Sequence, residues 1–268
     1  MMRRIAVAIL LWCACVAACA ATPSRVEEKT IEDPVYHRAR KLWVYTPVDY
    51  DVKQAKAYAW VLCFDGQTYA EEFQFRTLLD RLIEQKRIRP VVAVMVDNGN
   101  AFERRKDLAN SADFVKFLGG TLVPWVRANY RVSADPHEAM VTGYSAGGLG
   151  AAFVGWSMPD VFGNVYSQSA AFWRGAEASD GEPYEWLTSQ VSAAAKRPVR
   201  FYLEVGAEET SHAVGTGPVF IEANRRMRDA LQARGYEVRY EEVPGAHHEE
   251  GHWKSKLEEG LVWGLGGS

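Results

Sequence analysis

The chain has 268 residues, of which 48% are hydrophobic and 24% are charged, and this balance suits one large globular α/β domain. Its formal net charge of -3 gives no electrostatic basis for binding nucleic acid. The sequence shows no internal repeat, heptad pattern or long low-complexity tract, which excludes solenoid and coiled-coil architectures.

The N-terminus has the layout of an export signal. A basic segment, Met1–Arg4, precedes an apolar run from Ile5 to Val16 that is too short to cross a bilayer comfortably, and small residues follow. Val16-Ala17-Ala18-Cys19 resembles the bacterial lipobox, in which the cysteine is lipidated and becomes the new N-terminus. Ordinary cleavage after Ala18-Cys19-Ala20 is the alternative. We therefore predict a lipoprotein leader over residues 1–19 and a location in the periplasm or cell envelope, with only a lipid on Cys19 in the membrane.

The remaining chain alternates between strand-like and helix-like segments. Residues 20–38 are polar and of mixed charge, which predicts a tether, and the domain is expected to cover residues 39–268. Apolar or alternating runs predict strands over residues 41–45, 58–64, 91–96, 140–142, 164–169, 200–205 and 236–243. Helical spacing predicts helices over residues 73–86, 114–130, 148–158, 224–234 and 253–263. Residues 174–198 are expected to contribute to a lid. The alternation predicts an α/β fold with a mainly parallel central sheet and helices on both faces.

A serine lies at the junction of a predicted strand and a predicted helix, in Gly143-Tyr144-Ser145-Ala146-Gly147. The flanking glycines remove Cβ atoms that would clash in a sharp turn, and the helix directs its unpaired N–H groups at the serine. A serine hydroxyl is a weak nucleophile, so an enzyme that uses it must expose it, deprotonate it and stabilise the oxyanion. This context predicts the nucleophile elbow of an α/β-hydrolase, with Ser145 as the nucleophile.

In that architecture the acid and then the histidine follow the nucleophile along the chain. The acid is expected after the strand over residues 200–205, where Glu208 and Glu209 are candidates. The histidine is expected after the last strand, where His247 and His248 are candidates. The imidazole would accept the serine proton and return it to the leaving group, and the carboxylate would hold the required tautomer.

An oxyanion hole requires two backbone N–H donors. We expect the first from Ala146, which follows the nucleophile, and the second from Gln67 in the turn that begins at Asp65. A metal site is an alternative use for His247, His248 and His252. No cysteine or paired carboxylates at a recognisable ligand spacing accompany them. We therefore predict that the site requires neither a metal ion nor an organic cofactor.

Several separate motifs, in matching order, resemble the putative esterase (esterase D-like) family of α/β-hydrolases, and within it the enterochelin (ferric enterobactin) esterases. The resemblance covers residues 40–265, nearly the whole predicted domain. It is carried by Phe64-Asp65-Gly66-Gln67, Arg104 with Asp107-Leu108, Leu122-Val123-Pro124-Trp125, residues 141–149, residues 161–169 with Phe172-Trp173, Glu204 with Gly206 and Glu209, and Pro244-Gly245-Ala246 with Trp253.

The resemblance implies roles for individual residues. The position of the acid in the family falls on Glu209 rather than Glu208. The histidine of the family lies five positions before the loop tryptophan, which selects His248, and we favour this residue as the catalytic histidine; counting from the Pro-Gly pair would instead select His247.

The resemblance also implies a substrate site, because an arginine and aromatic walls suit an anionic, catechol-bearing siderophore. The candidate substrate-binding residues are Arg104, Tyr144, Trp173 and Trp253. Packing is the alternative role of the three aromatic side chains.

Two departures from the family pattern bear on the substrate. Tyr144 and Ala146 stand where enterochelin esterases have glutamine and phenylalanine, and the extra N-terminal domain of the cytoplasmic members has no counterpart, as in the periplasmic trilactone esterases. We predict an exported serine esterase acting through an acyl-enzyme on a small-molecule ester, with a catechol siderophore such as enterobactin as substrate. The alternatives are a carbohydrate-ester (feruloyl or acetyl) esterase, an acyltransferase on the same fold, and a non-catalytic binding lipoprotein. No oligomeric state is predicted.

Overall fold

The computed structural model describes residues 21–176 and 182–266. In this part of the chain, eight strands form one sheet: β1 (Arg25–Asp33), β2 (Arg38–Thr46), β3 (Ala59–Phe64), β4 (Val91–Val96), β5 (Ala139–Tyr144), β6 (Asn164–Gln168), β7 (Arg200–Gly206) and β8 (Val238–Val243). Their order across the sheet is β1-β2-β4-β3-β5-β6-β7-β8. The pairs β1–β2 and β2–β4 are antiparallel and the other neighbours are parallel. The predicted α/β-hydrolase fold with a mainly parallel sheet is confirmed.

Helices cover both faces of the sheet. They are α1 (Phe75–Glu84), α2 (Ala101–Leu108), α3 (Ala112–Phe117), α4 (Val123–Asn129), α5 (Ala146–Ser157), α6 (Trp186–Ala193), α7 (Phe220–Ala233) and α8 (Glu250–Leu265). Successive side chains of β3 alternate between two hydrophobic clusters: Trp60 and Leu62 belong to the cluster that includes α5 and α7, and Val61 and Cys63 to the cluster that includes α1 and α8. Burial on both faces explains why the central strands are continuously apolar in the sequence.

The predicted tether over residues 20–38 is wrong for most of its length, because β1 pairs with β2 along its whole length. β1 is an edge strand with one neighbour, and most of its side chains are exposed or half-buried. Charged side chains on an edge strand prevent pairing with other chains, so the strand looks like a linker in the sequence. The backbone of Thr22 is also bound, since its N–H donates to Asp49 Oδ1 at 2.7 Å and its carbonyl accepts from the N–H of Asp49 at 2.9 Å. The domain therefore begins near residue 22 rather than at residue 39.

Two sequence predictions fall on parts of the chain that the structure does not describe. The leader with Cys19 lies outside the described residues, as do residues 177–181 of the expected lid segment. The remainder of that segment contains α6. No helix in the described ranges is both long and apolar enough to cross a membrane.

Helix α2 was not predicted, because its sequence is polar and lacks an apolar stripe. It begins with a capping box, in which the side chain of Asn100 accepts from the N–H of Glu103 and the side chain of Glu103 accepts from the N–H of Asn100. The spacing Asn-x-x-Glu was a sequence signal that identifies such a helix start. This helix places Arg104, one of the predicted site residues, at the carboxyl edge of the sheet beside Asp65.

Candidate active site

Ser145 is the only residue between the end of β5 at Tyr144 and the start of α5 at Ala146. Its φ of 56° and ψ of -119° form a backbone conformation that residues with a side chain rarely adopt. Two hydrogen bonds hold this conformation. The N–H of Ser145 donates to the carbonyl of Gln168 at 2.9 Å, and the carbonyl of Ser145 accepts from the N–H of Ala171 at 3.0 Å.

The two glycines of the elbow lie in close contact with neighbouring atoms, the first with backbone and the second with a side chain. A Cβ atom at Gly143 would lie 2.5 Å from the backbone of Gly147, and one at Gly147 would lie 3.0 Å from Asp65 Oδ2. The first distance is shorter than any contact between real atoms of these types. The sharp turn therefore depends on glycine on the strand side, as the motif predicted.

Three side chains that are far apart in the sequence form a connected chain of hydrogen bonds at the carboxyl ends of β5, β7 and β8. His248 Nε2 lies 2.9 Å from Ser145 Oγ, and His248 Nδ1 lies 2.7 Å from Glu209 Oε2. Because an ionised carboxylate can only accept, Nδ1 carries the proton, and Nε2 is left to accept the serine O–H. This is the tautomer that a general base for serine requires.

The structure brings Glu209, and not Glu208, to the imidazole. Glu209 is buried, and its Oε1 accepts from the N–H of Gly206 at 2.9 Å and from the hydroxyl of Ser169 at 2.5 Å. These two donors leave Oε2 directed at His248. Glu208 is exposed at the cavity wall.

The structure likewise brings His248, and not His247, to the serine. The imidazole of His247 lines the cavity. Among the hydrogen bonds of the described residues, it does not join the chain from Ser145 to Glu209. The backbone carbonyl of His247 accepts from the N–H of Glu249 at 2.9 Å.

Replacing Glu209 with glutamine tests the assignment of the acid. The glutamine oxygen is expected to stay with Ser169 and Gly206, so its NH₂ group would face His248 Nδ1 and favour the tautomer that is protonated on Nε2. That tautomer cannot accept the serine proton, and kcat for ester hydrolysis is expected to fall about 10⁴-fold. Glu208→Gln is the matched control and should retain near wild-type kcat. A larger loss in Glu208→Gln would contradict the assignment.

Two aromatic rings pack against the imidazole of His248. Phe220 contacts it edge to face with ring centroids 4.5 Å apart, and Trp253 does so at 4.9 Å. Trp253 also stacks on Tyr144, with ring centroids 4.4 Å apart. Tyr144 and Trp253 are 7% and 5% exposed. Neither is among the residues that line the cavity in the described part of the chain, so these two substrate-site candidates are packing residues.

A cavity of about 480 Å³ lies over Ser145. Two of the predicted substrate residues, Arg104 and Trp173, line it, together with Arg174 and His212, which sequence reasoning did not assign to the site. The guanidinium of Arg174 lies 4.7 Å from the centroid of the Trp173 ring. The cavity thus combines charged side chains of both signs, including Glu208, with aromatic surface.

The turn after β3 packs against the elbow and is held by two side chains. Asp65 has a φ of 57°, and its N–H donates to Asn98 Oδ1 at 2.9 Å. Arg104 donates to both carboxylate oxygens of Asp65, from Nε at 2.6 Å and from Nη2 at 2.7 Å. Burial alone lowers the pKa of Arg104, but the Asp65 carboxylate outweighs it and the pKa is raised. Arg104 therefore both lines the cavity and holds this turn. Sequence reasoning missed Asn98, whose position after a strand was the only local signal.

The two predicted oxyanion donors lie at helix starts. Ala146 is the first residue of α5 and lines the cavity, and Gln67 immediately precedes the helical turn Thr68–Glu72. N–H groups in the first turn of a helix have no acceptor within the helix, and the helix dipole favours negative charge there. The side chain of Gln67 is directed elsewhere, since its amide donates to Glu71 at 3.1 Å.

Replacing Gln67 with proline removes one proposed oxyanion donor. The φ of Gln67 is -61°, which matches the fixed φ of proline, and Gly66 before it has no Cβ to clash with the ring. We expect Gln67→Pro to lower kcat about 10²- to 10³-fold, the usual cost of one oxyanion donor. Gln67→Ala keeps the N–H and should remain close to wild type in kcat and in the midpoint of thermal unfolding. Equal kcat in the two variants would argue against this donor.

No group of three or more His, Cys, Asp or Glu side chains is arranged to hold a metal ion within residues 21–176 and 182–266. His252, which belonged to the metal alternative, lies instead beside Glu204, with His252 Nε2 2.7 Å from Glu204 Oε1. That the site requires no metal or cofactor stays a prediction.

Comparison with known proteins agrees with the fold. The sequence matches the family described as "Putative esterase" over residues 34–263. It is 28% identical over 228 residues to the iron(III) enterobactin esterase of Escherichia coli O6:H1 strain CFT073, which covers 84% of this chain and 53% of that protein. The ferric enterobactin esterase from Salmonella typhimurium has a TM-score of 0.76 and 27% identity, over 90% of this chain and 58% of that structure. A ferulic acid esterase from the fungus Anaeromyces mucronatus has a TM-score of 0.70 at 17% identity over 91% of each chain, a likeness of fold alone.

The chain spans about half the length of the enterobactin esterases that it matches. The family match nevertheless covers most of this chain and includes the three elements that carry Ser145, Glu209 and His248. The family predicted from the sequence motifs is therefore confirmed, and the chain belongs to the Putative esterase family.

Proposed function

We propose that this chain is a serine esterase that hydrolyses carboxylic esters through an acyl-enzyme. The observation that carries the proposal is the continuous hydrogen-bonded chain Glu209–His248–Ser145, with contacts of 2.7 Å and 2.9 Å, beside a cavity. Membership of an esterase family supports it.

In the proposed reaction Ser145 Oγ attacks the ester carbonyl carbon while its proton passes to His248 Nε2. The carbonyl oxygen becomes an oxyanion that accepts from the N–H groups of Ala146 and Gln67. The ester C–O bond then breaks, and the alcohol leaves with the proton from His248. Water attacks the acyl-enzyme by the same route, which releases the acid and restores the serine. Glu209 stabilises the imidazolium that forms in each half of the reaction.

We propose a catechol siderophore such as enterobactin as the substrate. Support comes from the cavity, where the ring of Trp173 suits an aromatic ligand and Arg174 lies beside it, while Arg104 also lines the cavity but is paired with Asp65. The names of several relatives, which are iron(III) enterobactin and iron(III) salmochelin esterases, point to the same class.

A panel of esters tests the function and the substrate together. It contains a short p-nitrophenyl ester, a catechol-siderophore trilactone and a feruloyl sugar, and each is offered with and without a second hydroxyl acceptor. We expect the trilactone to give the highest kcat/KM. Turnover of the sugar ester alone would establish the carbohydrate-ester alternative, and acyl transfer to the added hydroxyl would establish the acyltransferase alternative. If no ester is hydrolysed and a fluorophosphonate does not label the protein, the binding-lipoprotein alternative is favoured.

We also propose that the chain is exported and anchored by a lipid on Cys19. Thr22 is already bound to the domain, so two residues, Ala20 and Ala21, would separate it from the lipidated Cys19, a distance of at most ~10 Å if the chain is extended. The proposed enzyme would then work directly at the membrane surface. Mass spectrometry of the mature protein should show a lipidated Cys19, and Cys19→Ala should abolish the modification. An unmodified N-terminus at Ala21 would refute the anchor.

A further inference from the structure

A buried pair of ionisable side chains lies beneath the loop that carries His248. His252, in the first turn of α8, and Glu204, in β7, have side chains that are 2% and 0% exposed. His252 Nε2 lies 2.7 Å from Glu204 Oε1, in close contact but without the linear geometry of a hydrogen bond. The other ring nitrogen, Nδ1, donates to the carbonyl of His247 at 3.2 Å. The reaction described above uses neither side chain.

The surroundings of the pair favour an imidazolium and a carboxylate. Glu204 Oε2 accepts from the hydroxyl of Tyr166 at 2.7 Å and from Gln168 Nε2 at 3.1 Å. Burial raises the pKa of Tyr166 well above its ordinary value, so its hydroxyl remains a donor. Both ring nitrogens of His252 face oxygen atoms, Nε2 the Glu204 carboxylate and Nδ1 the carbonyl of His247, so a ring with an N–H on each nitrogen suits this site. Burial alone lowers the pKa of His252, but Glu204, with a contribution from Glu209, outweighs it and the pKa is raised.

Glu204 is also linked to two residues of the proposed triad, Ser145 and Glu209, through one intermediate residue each. Gln168, whose side chain donates to Glu204, accepts the N–H of Ser145 on its backbone carbonyl. The backbone carbonyl of Glu204 accepts the N–H of Ser169 at 2.7 Å, and the hydroxyl of Ser169 donates to Glu209. Glu204 therefore supports both the turn that carries Ser145, through Gln168, and the acid Glu209, through Ser169.

His252 links the pair to the third residue of the proposed triad, His248. His252 binds the carbonyl of the peptide that joins His247 to His248. A shift of this peptide would move the imidazole of His248 relative to Ser145 Oγ, now 2.9 Å away. Misplacement of a catalytic group by about 1 Å can reduce a rate ~10²-fold.

We propose that His252, paired as an imidazolium with Glu204, is a positioning residue that holds the loop of His248 in register with Ser145. The role rests on the proposed function, in which His248 is the general base. His252 touches neither substrate nor reacting atoms and acts only through the peptide between residues 247 and 248.

The kinetic test uses a double variant, His252→Leu with Glu204→Gln. Changing both residues avoids an unpaired carboxylate in the interior, which would itself destabilise the fold. We expect kcat to fall about 10- to 100-fold while KM stays close to the wild-type value, because the cavity is unchanged. His137→Leu, at an exposed histidine on another part of the protein, is the control and should keep wild-type kcat. Wild-type kcat in the double variant would overturn the role.

A spectroscopic test needs neither substrate nor folding of the double variant. In ¹⁵N NMR spectra of the histidine-labelled wild-type protein at neutral pH, both ring nitrogens of His252 should be protonated. A neutral His252 would overturn the proposal. Where the double variant folds, the low-field proton resonance of His248 Nδ1–H should also weaken, whereas His137→Leu should preserve it.

The failure of this proposal is distinguishable from the failure of the proposed function. A wild-type protein that hydrolyses no ester and takes no fluorophosphonate label refutes the function, and the positioning role falls with it. An active wild-type protein with an equally active double variant refutes the positioning role alone.

Discussion

Replacing Ser145 with alanine is expected to reduce kcat for ester hydrolysis by roughly 10⁴- to 10⁶-fold, the range seen when a serine nucleophile is removed. Without the hydroxyl no acyl-enzyme forms, and only the oxyanion donors and substrate binding are left to assist water. The loss should appear in kcat rather than in KM, because Ser145 supplies the attacking atom and not the walls of the cavity. The p-nitrophenyl ester serves to measure kcat and KM. In a separate assay, the same variant should lose all fluorophosphonate labelling.

The matched control is Ser192→Ala, which removes an exposed hydroxyl on α6 that donates to a backbone carbonyl of the same helix. Both variants should unfold at nearly the wild-type temperature, since alanine keeps the Cβ atom that the strained turn at Ser145 already accommodates. Labelling that persists in Ser145→Ala would place the nucleophile elsewhere and refute the mechanism.

Replacing His248 with alanine should produce a loss of similar size, roughly 10⁴- to 10⁶-fold in kcat, because nucleophile and base act as one unit. The double variant with Ser145→Ala should be no worse than either single variant, for the same reason. His247→Ala is the matched control at the neighbouring position, and it removes an imidazole that lines the cavity without joining the hydrogen-bonded chain. We expect its effect to be confined mainly to KM.

The aromatic neighbours of His248 provide a second way to distinguish His248→Ala from His247→Ala. Phe220 and Trp253 bound the site of the imidazole at ring distances of 4.5 Å and 4.9 Å, so His248→Ala leaves a slot between aromatic walls. Imidazole added to the solution should enter the slot and restore part of the activity of His248→Ala, but it should not stimulate Ser145→Ala. If His247→Ala suffers the larger loss in kcat, the base is His247.

Most of the fold could be predicted from the sequence, and the exceptions share a physical cause. The central strands are buried on both faces, so each is a short apolar run that is visible without knowledge of its neighbours. The edge strand β1 and the polar helix α2 bury little surface, so neither has an apolar pattern. The packing of Tyr144 and Trp253 could not be predicted from the sequence either, because an aromatic residue that faces a cavity and one that faces the interior look the same in a sequence pattern.

The sequence itself determined the elbow, the place of Ser145 at its apex and the turn that begins at Asp65, because a sharp strand-to-helix turn depends on residues that are neighbours in the chain. Chain order and chemistry alone left the choice between adjacent residues open; the family resemblance favoured Glu209 and His248, and only the tertiary structure brings these two side chains together with Ser145. Neighbouring side chains on a loop point in different directions, and partners from distant elements select one of them. Ser169 orients Glu209 and Phe220 contacts His248 from elements that are distant in the sequence, so these contacts cannot be read from the local sequence of either loop, whereas Gly206 and Trp253 are local partners that the motifs contain.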